Sequence, residues 1–262
     1  MHADGLTQNA LIVLTDGVYI ELIEFLEKPL KNNSVKETLQ EWKERRSKHW
    51  WWGKKEGWID WCLKGGVNDN RTSSINAASK MVIDQDSETQ QSPLRPELVR
   101  YREAMTGGRK ALSGKDIKWN VTFPKGSKEV RGRYPFWCED ITPRWWRVPM
   151  PSPSHPNLTQ GLAALTLLYY PETFPSRLAS LQLILSSSKG DAEEMKANLI
   201  DLDPPPITEG QVALPTDPVE LYLSTPDGPL LPLRVKAAED PDELQWLEQY
   251  GEGLWEVEIS GE

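Results

Sequence analysis

Two glutamates in apolar, strand-like segments are the side chains of this sequence best placed for chemistry. Glu21 interrupts the segment YIELI at residues 19–23, and Glu139 lies in WCED at residues 137–140. Carboxylate oxygens bind hard divalent cations such as Mg²⁺ and Mn²⁺. Each glutamate also has a simpler interpretation. Glu21 can face solvent on the polar side of a sheet, and Glu139 can be a surface acid that precedes a turn.

Imidazole ligands are scarce in this chain. It has only three histidines, His2, His49 and His155, which excludes a histidine-rich site. A carboxylate-dominated set remains, Glu21 with Glu139, which Asp60 or His2 could join, and such a set suits Mg²⁺ or Mn²⁺ better than Zn²⁺. His2 is expected to fray near the chain start. His49 precedes three tryptophans and is favoured as a packing neighbour.

The elements that would position Glu21 begin at the start of the sequence. Residues 10–14 and 18–23 are rich in β-branched and aromatic side chains, and Asp16-Gly17 between them predicts a two-residue hairpin turn. An isolated hairpin is only marginally stable in water. We therefore expect these strands to join a larger sheet.

Periodicity predicts alternating helices and strands in the next hundred residues. We expect helices at residues 35–46, 77–83 and 96–105, strands at residues 57–63, 117–123 and 134–138, and a mobile loop at residues 85–92.

A proline-rich segment, PMPSPSHP at residues 149–156, divides the chain. Proline has no amide hydrogen and cannot sustain a regular ladder of hydrogen bonds. We predict one unit over residues 1–149, a linker over 150–160 and a further βαβββ-like unit over 161–262. That unit is expected to contain strands at residues 162–169, 199–202, 219–223, 233–236 and 254–259, and helices at residues 171–186 and 241–250.

Composition excludes several classes of protein. The 262 residues carry a net charge of -9 and a pI near 5.1, which argues against nucleic-acid binding because phosphate contacts need a clustered basic surface. No run of about 18 apolar residues is available to span a bilayer. The two cysteines fit a reducing compartment, and no secretory leader precedes the first strand. We expect a cytoplasmic protein.

Tryptophan is unusually abundant, with 12 residues in the chain. Large aromatic rings can line an apolar pocket, or they can seal and pack the sheets. We take Trp61 and Trp137 as candidates for a substrate pocket. Arg144 and Arg147 could bind a substrate carboxylate or phosphate, although Arg144 could equally pair with Asp140 across a turn.

Three stretches, in order, resemble the glyoxalase-like domain proteins of fungi, which belong to the vicinal oxygen chelate superfamily. They are HADGLT with Asn9 and DGVYIELI at residues 2–23, HWWWG with GWIDW at residues 49–61, and GGR, IKW, VTFP and PFWCEDITPR, continuing to RVP, at residues 107–149. The resemblance covers roughly the first 150 residues and does not indicate a substrate.

This resemblance implies an α+β fold in which βαβββ modules form curled half-barrel sheets. Where such proteins are enzymes, His and Glu side chains hold a divalent metal (Mg, Mn, Fe or Zn) that polarises substrate oxygens. Glu21 matches one ligand position, Glu139 occupies the equivalent place in the second module, and His2 is a further metal candidate. The sequence departs from the family in reading CED where CHD is usual, and against the family pattern we expect the first module to lack its opening strand and helix.

Three functions therefore remain open. The first is a metal-dependent enzyme that acts on a small oxygenated organic substrate, with Glu21 and Glu139 as catalytic groups. The second is a non-catalytic small-molecule binding protein of the resistance type, and the third is a truncated inactive copy. In each, we expect neither a nucleic acid nor a membrane as partner, and unpaired sheet edges would allow a homodimer.

Overall fold

Two antiparallel hairpin strands face a four-stranded sheet in the N-terminal part of the protein. A computed structural model describes residues 2, 4–29, 37–89, 98–111, 113–148, 158–186, 217–224 and 229–261, with the backbone alone for 82–89. The hairpin consists of β1 (Thr7–Val13) and β2 (Tyr19–Phe25). The sheet has the order β3-β6-β5-β4. Its strands are β3 (Cys62–Lys64), β4 (Met105–Lys110), β5 (Asp116–Thr122) and β6 (Phe136–Asp140).

The predicted hairpin is confirmed, but its turn is longer than two residues. Residues 14–18 connect the strands, the Leu14 amide donates to the Val18 carbonyl at 2.8 Å, and Gly17 has a positive φ of 78°. The Asp16 carboxylate accepts hydrogen bonds from the amides of Val18 and Leu162, both close to 3 Å. The loop is therefore shaped by a distant strand as well as by its own Asp-Gly pair.

Helix α1 (Leu39–Lys48) begins at a capping box, in which Thr38 and Glu41 satisfy each other's backbone amides. This confirms the helix predicted at residues 35–46, shifted toward the C-terminus. Helix α2 (Arg71–Thr89) is much longer than the short helix predicted at 77–83. The mobile loop predicted at 85–92 is wrong for residues 85–89, and residues 90–92 lie outside the described part of the chain.

The helix predicted at residues 96–105 is wrong, because the described part of this segment is extended. Tyr101 forms a bridge with Pro124, and β4 begins at Met105. The side chain of Asn76 on α2 binds both backbone groups of Tyr101, accepting from its amide at 2.6 Å and donating to its carbonyl at 3.0 Å. Tertiary contacts thus satisfy backbone groups that a helix would have satisfied locally.

The C-terminal part forms a second four-stranded sheet, of order β10-β7-β9-β8, in which β7 and β9 are parallel. Its elements in chain order are β7 (Thr159–Tyr169), α4 (Phe174–Ser186), β8 (Val219–Leu223), β9 (Leu231–Ala237), α5 (Pro241–Tyr250) and β10 (Gly253–Gly261). The short helix α3 (Arg144–Arg147) follows β6. The described elements follow a split βαβ order, strand-helix-strand-strand-helix-strand, which differs from βαβββ by helix α5. The strand predicted at 199–202 lies outside the described residues.

One hydrophobic core joins the two parts. Trp61, Trp137 and Ile75 from the first part pack in the same buried cluster as Leu167 and Leu181 from the second. Strand β7 begins at residue 159, inside the segment predicted to be a linker. The division of the chain into two units at residues 150–160 stays a prediction.

The whole is an α+β fold with open, curled sheets, as the sequence indicated. None of the helices that the structure describes is long and apolar enough to cross a membrane.

Candidate functional site

The hairpin and the first sheet enclose a concave space, which we call the inner cleft. Its inward-facing side chains come from β1, β2, β3, β5 and β6 and from helix α3. They are Asn9, Tyr19, Glu21, Cys62, Trp119, Cys138 and Arg147. Side chains alternate between the two faces of a strand, so Tyr19 and Glu21 share the inner face of β2.

Three contacts close the inner cleft by joining the hairpin to the facing sheet. Arg147 donates from Nη1 to the Tyr19 hydroxyl at 2.8 Å. Arg109 on β4 donates from Nη1 to Asn9 Oδ1 at 3.3 Å. At the open side, the ring of His2 lies edge-on to the ring of Trp119, 6.0 Å away.

Solvent reaches the interior of this space. Cys62, on the edge strand β3, is exposed, and the Glu21 side chain is 29% exposed. The pKa of the Cys62 thiol is nevertheless raised, because it lies among protein atoms and because Cys138 and Glu21 disfavour a second negative charge. An accessible side chain surrounded by protein is what a concave binding site provides.

The Glu21 carboxylate is held by Asn9 and flanked by His2. Asn9 Nδ2 donates to Glu21 Oε1 at 2.6 Å, and His2 Nε2 lies 3.8 Å from the same oxygen. The other ring nitrogen of His2 shares a hydrogen bond with the Thr7 hydroxyl at 2.6 Å. Burial lowers the pKa of His2, against the opposing effects of Glu21 and Asp4. A neutral imidazole therefore stands beside this carboxylate at neutral pH.

Arg147 supplies a fixed positive charge to the inner cleft. It forms a two-pronged ion pair with Asp140, with Nε 2.6 Å from Oδ1 and Nη2 3.1 Å from Oδ2. Burial disfavours the charge of Arg147, but the hydrogen bonds to Asp140 raise its pKa above the ordinary value. Its guanidinium lies 5.7 Å from the centre of the Tyr19 ring and 5.8 Å from that of Trp119.

The Asn9 amide is oriented from both ends. Its oxygen accepts from Arg109, which leaves its nitrogen to face Glu21. Arg109 is itself fixed by a hydrogen bond from Nη2 to the Arg147 carbonyl at 2.9 Å. Sequence reasoning missed Asn9 and Arg109 as site residues, although both lie in the segments that carry the family resemblance. It named Arg147 only as a possible partner of a substrate carboxylate or phosphate.

Glu139 does not lie in the inner cleft. It alternates along β6 with Cys138 and Asp140, which face inward, so its own side chain faces the opposite side of the sheet. There it is buried, and Oε1 accepts from the Asn68 amide at 3.0 Å. The sequence placed Glu21 and Glu139 at one site, and the structure places them on different faces.

Of the predicted metal ligands, the structure brings together only His2 and Glu21. One imidazole and one carboxylate are fewer than the three protein ligands of a catalytic zinc site. Within the described ranges, no group of three or more His, Cys, Asp or Glu side chains is arranged to hold a metal ion. The side chains at the inner cleft therefore do not fit the metal centre that the resemblance implies.

Asp60, the other acid predicted as a possible metal ligand, holds two tryptophans in place. Its Oδ2 accepts from the indole nitrogens of Trp50 and Trp51 at 2.9 and 2.8 Å. Burial raises the pKa of this carboxyl to about 6, although the indole hydrogen bonds oppose the shift.

The three residues predicted to line a substrate pocket have other surroundings. Trp61 and Trp137 are 7% and 1% exposed and belong to the hydrophobic core, which agrees with the packing interpretation of the tryptophans. Arg144 lies near Asp140, with Nη1 3.4 Å from Oδ2, and donates to the Gly17 carbonyl at 3.2 Å. The aromatic groups that line the inner cleft are Tyr19 and Trp119.

Comparison with known proteins places the chain in a family. The model of a glyoxalase-like domain matches residues 1–181. No curated protein matches. Among solved structures, a hypothetical protein from Staphylococcus aureus is similar at 14% identity with a TM-score of 0.46, over 91% of this chain and 75% of that chain. Since the family model covers more than half of the sequence, the chain belongs to the glyoxalase-like domain family.

Proposed function

We propose that the protein is an enzyme that binds a small oxygenated organic molecule in the inner cleft and moves a proton on it, with Glu21 as the base. The observation that carries this proposal is the accessible Glu21 carboxylate, which Asn9 orients toward a space lined by Tyr19, Trp119 and Arg147. The family match supports a small-molecule ligand. The net charge of -9 disfavours a nucleic acid.

Glu21 has an oxygen available for a substrate. The hydrogen bond from Asn9 goes to Oε1, and in the part of the chain that the structure describes Oε2 has no hydrogen-bond donor. A carboxylate held at one oxygen and open at the other can accept a proton from a positioned carbon or hydroxyl group. His2, neutral and 3.8 Å from Oε1, can take part in returning that proton.

Tyr19 and Arg147 can stabilise negative charge on a substrate oxygen. The Tyr19 oxygen accepts a hydrogen bond from Arg147, which leaves the tyrosine O–H free to donate. Burial raises the pKa of Tyr19, so the hydroxyl keeps its proton. Removal of a proton next to a carbonyl builds negative charge on the carbonyl oxygen, and a fixed donor backed by a guanidinium stabilises that charge.

The reaction class that these groups support is proton transfer at a carbon next to a carbonyl. Such transfer can be followed without knowledge of the natural substrate. We would incubate the protein in D₂O with a panel of small 2-hydroxy and 2-oxo compounds and record the replacement of C–H by C–D with NMR. The proposal expects exchange on at least one compound, and a loss of at least about a hundredfold in Glu21→Gln.

Glu24→Gln is the matched control for this experiment. Glu24 lies on the same strand but on its outer face, where it accepts from Gln8 at 2.7 Å. The exchange rate of the Glu24→Gln variant should equal that of the unsubstituted protein. Equal loss in both variants would show that the hairpin, and not the Glu21 carboxylate, had been disturbed.

Non-catalytic binding is the second candidate, and the surroundings of Trp119 favour it. An indole between His2 and the Arg147 guanidinium is a platform for a flat ligand, whether or not a proton moves. Quenching of tryptophan fluorescence by a compound that shows no exchange would favour binding alone. The cytoplasmic location and the homodimer stay predictions.

A further inference from the structure

A second cavity, of about 410 Å³, lies apart from the inner cleft. It is bounded by the loop after helix α1, by the 3-10 helix Lys128–Val130 with the residues that follow it, and by the junction of α5 with β10. We propose that it is a binding site for a small organic anion with two or more negative charges, carried by phosphate or carboxylate groups. This proposal is independent of the function assigned to Glu21.

Positive charge is concentrated in this cavity although the protein as a whole is acidic. Six basic side chains line it, against the two acidic side chains Glu129 and Glu252. The basic residues are Lys54, Lys55, Lys128, Arg131, Arg133 and Arg177. A concave surface lined by one sign of charge focuses the electric field and attracts ions of the opposite sign.

Three of these cations are held by neutral backbone carbonyls. Lys54 donates to two carbonyls at 3.0 and 3.2 Å, Lys128 to one at 2.7 Å, and Arg131 to three, two of them at 2.9 Å. The acceptors are the carbonyl oxygens of Ser47, Trp50, Trp52, Lys128, Arg131 and Tyr250. Over the described ranges of the chain, none of the three cations lies within ion-pairing distance of a carboxylate. Their positions are therefore fixed, and the carboxylates of Asp60 and Glu129 act on them only from beyond that distance.

Two further cations share a single carboxylate. Arg133 Nε lies 2.6 Å and Arg177 Nε 3.1 Å from the same Glu252 oxygen, Oε2. Glu252 is 3% exposed and also accepts from the Thr173 hydroxyl. Two guanidinium groups with one carboxylate leave one net positive charge beside the cavity.

Two lysines of the cavity, Lys54 and Lys128, have lowered pKa values. The pKa of Lys54 is lowered, first by burial and then by the neighbouring charges of Arg131 and Arg133, against the opposing effect of Asp60. The pKa of Lys128 is lowered in the same way, by burial and by Arg131. A bound anion would offset the repulsion among these groups.

Size and shape point to an organic ligand rather than a single ion. A volume of 410 Å³ is within the range of small-molecule sites. Tyr170 and Tyr250 line the cavity, and the Lys55 ammonium group lies 5.8 Å from the centre of the Tyr250 ring. An aromatic wall beside several cations suits a ligand with a carbon body and charged groups.

The cavity joins both parts of the chain. Lys54, Lys128 and Arg131 belong to the span matched by the glyoxalase-like domain, whereas Tyr250 and Glu252 lie beyond it. An anion bound here would contact both parts and stabilise their packing.

Isothermal titration of the full chain with pyrophosphate and with citrate tests this proposal. We expect saturable binding of at least one of these anions, which weakens as NaCl is raised. Binding of pyrophosphate alone would assign phosphate chemistry, binding of citrate alone would assign carboxylate chemistry, and binding of both would assign charge as the determinant.

Substitution of Lys55 locates the binding. Lys55 is exposed at the mouth of the cavity, so Lys55→Gln should fold normally and weaken binding about tenfold. Lys54→Gln should weaken it at least as much. Lys43→Gln, an exposed lysine on α1 outside the cavity, and Glu21→Gln should leave the affinity unchanged.

Two results would overturn the proposal. One is the absence of saturable binding of either anion up to millimolar concentration at low salt. The other is binding whose affinity is the same in Lys55→Gln and Lys54→Gln as in the unsubstituted protein. Neither result bears on proton exchange at Glu21, so the two proposals fail separately.

Discussion

Asn9 donates to Glu21 across the N-terminal hairpin, with 2.6 Å between Nδ2 and Oε1. The hairpin register makes this contact, because Asn9 pairs with Ile23, two residues from Glu21 on the same face. A donor fixed by backbone pairing holds the carboxylate in place without a metal ion.

The Asn9→Leu substitution removes this donor while it keeps a side chain of similar size. A base acts only when it is held within reach of the proton that it abstracts, and Asn9 is the donor that holds Glu21. The rate of C–H exchange in D₂O, followed by NMR, should therefore fall about tenfold in Asn9→Leu.

Gln8→Leu is the control for this loss. Gln8 forms a similar hydrogen bond with Glu24 on the outer face of the same hairpin. The exchange rate should be unaffected by Gln8→Leu. An exchange rate that is unchanged in Asn9→Leu would show that Asn9 does not position Glu21.

Asp140 stabilises the fold through its ion pair with Arg147. Both side chains are less than 10% exposed, and removal of one partner of a buried pair leaves an uncompensated charge. We expect Asp140→Ala to lower the free energy of unfolding by about 3 to 5 kcal/mol in urea titrations.

The exposed pair of Lys48 and Glu44, whose side chains are 73% and 58% exposed, is the comparison. Glu44→Ala should change the free energy of unfolding by about 0.5 kcal/mol or less. Similar losses in the two variants would mean that the Asp140 pair is not buried in solution.

Asp60 gives the stability of the protein a specific pH dependence. Its pKa is about 6 in the folded chain and about 4 when unfolded. The folded state therefore binds more protons between these values, and the free energy of unfolding should fall as pH rises from about 4 to about 6, by about 3 kcal/mol from this group.

Asp60→Asn removes this titration. The difference in free energy of unfolding between the unsubstituted protein and Asp60→Asn should shrink steadily over that pH window, because only the former loses stability from this carboxyl. A difference that stays constant, or that grows with pH, would contradict the raised pKa.

Metal removal should leave exchange intact. His2 and Glu21 are the only predicted ligands that the structure brings together, and the chemistry proposed here uses Tyr19 and Arg147 for charge stabilisation. Treatment with EDTA followed by dialysis is expected to change the exchange rate less than twofold. A loss of exchange that Mn²⁺ or Mg²⁺ reverses would restore the metal-dependent interpretation.

Local signals in the sequence predicted the hairpin and the place of Glu21 on it. Both depend on neighbouring residues, namely a run of β-branched side chains and an Asp-Gly pair. The helix at residues 96–105 was wrong for the converse reason. Asn76, more than twenty positions away, binds the Tyr101 backbone, and no local pattern records such a contact.

The sequence placed Glu139 in the same site as Glu21, but its side chain faces the other side of the sheet, one position out of phase with Cys138 and Asp140. Neighbouring residues of a strand face opposite sides, and the segment WCED is apolar or acidic at both phases, so its sequence does not say which side faces the cleft. Packing of Trp137 against the core decides it, and turns Cys138 and Asp140 inward. Arg109 was missed because its partner Asn9 lies on another strand.

Comparison of Glu21→Gln with Glu139→Gln tests whether the inner cleft is the active site. In D₂O, with the compound that the unsubstituted protein exchanges fastest, we expect Glu21→Gln to reduce C–H exchange at least about a hundredfold, whereas Glu139→Gln, on the far side of the sheet, retains it within about threefold. Exchange that survives in Glu21→Gln, or that is lost only in Glu139→Gln, would contradict the assignment of the inner cleft as the active site.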